Sequence, residues 1–150
     1  MFLLATDVNR DGGKFMLAAG APLLRGGDDE RMLRAAREIV DADPGIGLRA
    51  GVTRGYVFGC DLGSDRRRVY TVMGDAVNLS ARLMSRAAPG EIIVSRPVME
   101  WASSRFEYDA LEPFLVKGKT VPIYAGRLGR SAGAPTSTRS TPSCAAGRPS

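Results

Sequence analysis

Residues 69–84, VYTVMGDAVNLSARLM, constrain the fold of this chain more than any other stretch, because an extended segment, a glycine break and a helix follow one another without a spacer. Val69, Tyr70, Val72 and Met73 read as a strand and Gly74 as the break. Asp75 is an N-cap candidate for a helix in which Val77, Ala81 and Met84 recur at helical spacing. Asn78 and Arg82, four residues apart, then share one helical face. An amide and a guanidinium held together near a helix N-terminus suit a ribose and a phosphate that gains charge in a transition state. A surface Asn and a surface Arg on an ordinary amphipathic helix would show the same spacing, so the pair alone does not decide between the two.

The surrounding pattern mixes strands and helices. Residues 2–4 and 14–19 are apolar stretches separated by DVNRDGG, in which Asp11, Gly12 and Gly13 signal the turn of a β-hairpin. Met32, Leu33, Ala36, Ile39 and Val40 follow at helical spacing, with Asp28, Asp29 and Glu30 placed to complement the positive end of the helix dipole. Residues 41–47, with Pro44 and two glycines, end that helix. Leu48, Ala50 and Val52 alternate as in a half-buried strand, and a second strand is expected over 56–58. Ile92, Ile93 and Val94 form a short buried strand, and residues 97–103 a short helix whose Trp101 belongs in the core. Pro122 limits a closing strand over 121–127 to an edge or a bulge. This order predicts an α+β sandwich with helices over one face of a mainly antiparallel sheet.

The chain of 150 residues suits one folded domain. No apolar run is long enough to cross a bilayer, and the N-terminus lacks the pattern of a signal peptide. Cys60 and Cys144 lie far apart, which argues for reduced thiols in a cytoplasmic chain and against a disulfide scaffold or a zinc site. The formal net charge is +5. Arg130, Arg139 and Arg148 sit in residues 129–150 with no acid, so the rest of the chain is nearly balanced. That tail is rich in Ser, Thr, Pro, Gly and Ala and is expected to be disordered, which leaves a domain over residues 1–128. The basic residues are scattered and not interleaved with aromatics, and no nucleic-acid partner is expected; the run Arg66, Arg67 and Arg68 could bind a triphosphate or an acidic partner but reads first as a solvated loop.

YTVMGDAVNLSARL resembles the signature of the class III nucleotidyl cyclases, which convert ATP or GTP to a 3′,5′-cyclic nucleotide and pyrophosphate. GLRAGVTRGYVFGCDLGSDRR before it and FLVKGKTVPIYAGRL after it fit the same family in the same order, so that the resemblance runs from about Ala5 to Leu128. It is greatest to the second catalytic domain of soluble adenylate cyclases. The resemblance implies a ferredoxin-like core and an active site shared between two catalytic domains, in cis or in trans. It also implies that Asn78 orients the ribose, Arg82 stabilises the phosphate in the transition state, Thr71 reads the purine and Lys117 contacts the triphosphate. Each has a plain structural explanation beside it: Thr71 as a β-former, and Lys117 and Lys119 around Gly118 as a solvated turn.

Members of the family bind Mg²⁺ or Mn²⁺ through two aspartates, one on a first strand and one in a hairpin Gly-Asp pair. Here the hairpin pair is Gly12-Gly13, flanked by Asp7 and Asp11, and the purine-reading Lys would fall near Ala5. The resemblance therefore implies no metal ligand in this chain, which is expected to be incomplete at its N-terminus, with metal supplied by a partner domain's aspartates and with an exposed sheet edge. An adenylate cyclase component is the leading expectation, inactive by itself. A guanylate cyclase and a non-catalytic, nucleotide-binding regulatory domain are the alternatives.

Overall fold

A computed structural model describes residues 2–10, 12–21, 23–64, 67–102 and 106–131. Among these residues eight strands and three helices follow in the order β1 (Phe2–Asn9), β2 (Gly12–Ala18), α1 (Asp28–Asp41), β3 (Ala50–Val52), β4 (Phe58–Ser64), β5 (Arg67–Met73), α2 (Asp75–Arg86), β6 (Ile92–Ser95), α3 (Arg96–Trp101), β7 (Phe106–Ala110) and β8 (Ala125–Ser131). β1 and β2 form the expected hairpin. Its strands extend through Asp7, Val8, Gly12 and Gly13, so the turn is tighter than the glycine signal suggests. β4 and β5 form a second antiparallel hairpin, and a four-stranded sheet runs β3-β6-β8-β7. Among the described residues only β3 and β6 pair in parallel.

The core is built around β6, whose four residues are all buried. Alternation along the strand sends Ile92 and Val94 to one face and Ile93 to the other. On the first face they meet Leu33, Ala36 and Val40 of α1 and Val98 of α3, together with Val52, Phe106 and Leu128. On the second face Ile93 meets Leu83 and Ala87 at the end of α2, with Ala125 beside them. The α+β sandwich is therefore as expected, but helices cover both faces of the sheet and not one. Burying Leu33 and Leu83 completely stabilises the fold by about 1.5–3 kcal/mol for each side chain.

Other differences have identifiable causes. β8 is interior, between β6 and β7, because Pro122 lies ahead of the strand and outside its ladder. β8 also continues to Ser131, past the boundary expected at 128, while the tail from 132 and Cys144 lie outside the described residues. Tyr56 and Val57 are outside any strand, and Tyr56 is fully exposed. Trp101 is 68% exposed, since α3 ends there; the Arg54 guanidinium shields one part of the ring, 4.5 Å from its centroid. On α2 the fully buried residue is Leu83, whereas Ala81 faces solvent.

Among the described residues β2 pairs only with β1 and β3 only with β6, and both strands line a cleft of about 730 Å³ with Met32, Ile39 and Leu48. On β3 itself, Gly51 admits α2 so closely that a Cβ would run into the Ser80 carbonyl and the Met84 amide. These are backbone atoms and cannot turn aside. Gly51→Ala is expected to lower stability by about 1–3 kcal/mol through overpacking. Gly26→Ala, with nothing within 4 Å of the added carbon, is expected to leave it almost unchanged. Thermal denaturation of the two variants reads the difference.

β3 is launched by the loop after α1, which Asp43 organises. Its carboxylate accepts hydrogen bonds from the amides of Gly45, Ile46, Gly47 and Leu48 at 2.8–3.0 Å. These bonds, that from Leu48 foremost, hold the carboxyl below the ordinary aspartate range against a smaller opposing effect of desolvation. Because the folded value is depressed, the stabilisation is complete above the unfolded value, near pH 4, and is lost as pH falls through the folded one. Asp43→Asn is thus expected to be less stable than the parent at pH 7, with the gap closing below about pH 4 in denaturant titrations at successive pH values.

Candidate functional site

α2 begins where β5 ends, and Gly74 makes the junction. Its φ of 144° belongs to a region that favours glycine, and a Cβ there would crowd the Tyr56 carbonyl at 3.2 Å. The Gly74 carbonyl accepts the first helical hydrogen bonds, from Val77 and Asn78. Gly74, not Asp75, is therefore the N-cap, and Asp75 is the first residue of the helix. Leu83 turned into the core places Asn78 and Arg82 on the outward side, Asn78 exposed and Arg82 half-buried.

The partner of that face is the turn Val116-Lys117-Gly118-Lys119. Val116 is buried and anchors it, the Lys119 amide donates to the Val116 carbonyl at 3.0 Å, and Gly118 at φ 86° supplies the positive φ that the third position of a type II turn requires. Arg82 Nη1 donates to the Lys117 carbonyl. Lys119 Nζ lies 3.0 Å from Asp75 Oδ2. Between helix and turn lies a small cleft of about 80 Å³ lined by Asp75, Asn78, Leu79, Arg82, Val116, Lys117, Gly118 and Lys119. Three cationic side chains face one carboxylate there, beside an exposed amide. Such a site attracts an anion that also offers hydroxyl or carbonyl groups.

Of the four residues singled out in the sequence, the structure brings Asn78, Arg82 and Lys117 to this cleft. Thr71 is half-buried on β5 opposite Cys60 and is not among the lining residues. Sequence reasoning missed the Asp75–Lys119 pair. The two residues are 44 positions apart, and nothing in a Gly-Asp or Lys-Gly-Lys string signals the pairing.

A metal site does not emerge from the described residues. Gly12 and Gly13 carry no donor, the Asp7 carboxylate lies 3.5 Å from Lys14 Nζ, and Asp11 is outside the described residues. No three His, Cys, Asp or Glu side chains among the described residues converge. The described residues by themselves do not fit a divalent cation. No helix among them is long and apolar enough to cross a membrane.

Comparison with known proteins bears on the fold and the family. The family model for the adenylate and guanylate cyclase catalytic domain matches residues 30–126. An uncharacterized protein of Mycobacterium tuberculosis is 33% identical over 132 residues, which cover 82% of this chain and 32% of that protein. The chain thus spans about a third of the length of that curated relative. Among solved structures, the guanylyl cyclase Cya2 superposes with a TM-score of 0.66 at 27% identity, covering 89% of this chain and 73% of Cya2. The adenylyl cyclase CyaB from P. aeruginosa superposes with a TM-score of 0.61 at 25% identity, covering 84% and 71% of the two chains.

Proposed function

The chain belongs to the adenylate and guanylate cyclase catalytic domain family, and from that premise we propose that it supplies the ribose- and phosphate-binding half of a site that forms 3′,5′-cyclic AMP and pyrophosphate from ATP. The observation that carries this reading is the convergence of Asn78, Arg82 and Lys117 on one cleft of positive balance.

In the reaction the ribose 3′-oxygen attacks the α-phosphorus, its proton departs, and the bond to pyrophosphate breaks. The Asn78 amide hydrogen-bonds the ribose and fixes the direction from which the 3′-oxygen approaches. Arg82 donates to the oxygens of the α-phosphate as they gain charge. The hydrogen bond from Nη1 to the Lys117 carbonyl fixes its guanidinium plane beforehand, so little reorganisation accompanies that gain. Lys117 contacts the terminal phosphates as a mobile point charge. Thr71, on the neighbouring strand, reads the purine, and ATP is preferred to GTP. A second catalytic domain contributes the aspartates that hold Mg²⁺ or Mn²⁺.

A non-catalytic domain that binds a nucleotide and regulates a partner is the second reading. The Gly12-Gly13 pair, where the family resemblance implies a metal-binding Gly-Asp, favours it.

Cyclic-nucleotide formation from ATP and from GTP with Mn²⁺, measured for the chain alone and mixed with a metal-competent cyclase domain, separates the readings. Activity is expected only in the mixture and with ATP. Arg82→Ala is expected to lower kcat by about 100-fold or more, the loss typical for one donor to a developing oxyanion. Nucleotide binding without turnover in any mixture would establish the regulatory reading instead.

A further inference from the structure

The turn that carries Lys117 has few internal restraints. Among the described residues it has one backbone hydrogen bond of its own, from Lys119 to Val116, and one buried side chain, Val116. Two side chains of α2 hold it from outside. Arg82 grips the Lys117 carbonyl, and the Asp75 carboxylate grips the Lys119 ammonium. Asp75 is available for this because Gly74 takes the N-cap position, leaving the Asp75 side chain with no capping hydrogen bond to make.

We infer that Asp75 is a positioning residue of the cleft: by holding Lys119 it keeps the 116–119 turn docked on α2, so that the Lys117 ammonium and the Arg82 guanidinium address one anion. This rests on the reading of the cleft as a polyphosphate site. Asp75 is negative, and by charge alone it opposes an anionic ligand. Its removal should therefore tighten anion binding if it is only a surface acid. If it is a latch, removal frees the turn, separates Lys117 from Arg82 and weakens binding. The opposite signs make the distinction. The pair is accessible, with the Asp75 side chain 84% and that of Lys119 32% exposed, so the effect is bounded by the modest strength of such pairs.

Two measurements on the full chain test the inference. The first is amide hydrogen exchange. Asp75→Ala is expected to accelerate exchange of the Lys119 amide severalfold while leaving the β6 amides unchanged, and the charge-swapped double variant Asp75→Lys with Lys119→Asp is expected to restore protection. Unchanged exchange at 116–119 in Asp75→Ala would overturn the latch whatever the cleft binds. The second is calorimetric titration with inorganic tripolyphosphate. Asp75→Ala is expected to bind about threefold more weakly than the parent, and equal or tighter binding would overturn the inference. If the parent itself binds no tripolyphosphate while exchange responds as expected, the polyphosphate reading fails and the latch stands as a purely mechanical contact.

Discussion

The contact on which the site depends is the seating of α2 against β3 and β6. Gly51 lets the backbones of β3 and α2 come within a distance that no side chain permits, and Leu83 fills the space against Ile93. Once Leu83 faces inward, the helical period alone directs Asn78 and Arg82 outward. The stiffness of the site is thus borrowed from an apolar contact on the other side of the helix. Residues meant for precise hydrogen bonding work best on an element locked this way.

The second half of the cleft comes from a turn 35 residues later in the chain. β8 is interior to the sheet, and the bridge between Phe114 and Ile123 holds the intervening loop against it. The Val116–Lys119 turn projects from the far end of that loop. Arg86 stacks on Phe114 at 3.8 Å from the ring centroid, so the last turn of α2 meets the same loop. The cationic pair of Arg82 and Lys117 is therefore assembled from one helix and one loop. Both elements rest on the second core cluster, around Leu83 and Ile93.

Much of the local structure was legible. The acidic first turn and the spacing of Leu33, Ala36 and Val40 marked α1, the run 92–94 marked the central strand, and the strand-glycine-helix junction at 74 was placed within a residue. The misreadings share a cause. Trp101 and Tyr56 are large and apolar, yet they lie outside the core, Trp101 because α3 ends there at the surface and Tyr56 because it sits in the segment between β3 and β4. Pro122 was a sound argument against a central strand at its own position, and the strand began three residues later. Ala81 satisfied the helical period but lay one step off the face that tertiary packing selected.

What the sequence determined by itself is most of the elements, though not β7 or the extent of β4, and the identity of three of the cleft residues, because helical period, turn chemistry and motif order act over a few positions. Family membership follows from the same order of motifs and from the match over residues 30–126. Tertiary structure decided the rest: that helices cover both sheet faces, that Thr71 lies apart from Asn78, Arg82 and Lys117, and that Asp75 turns from a cap to a partner of Lys119. Those outcomes depend on which surfaces are buried together and on charges that meet across 44 residues of chain. A one-dimensional pattern carries no term for either.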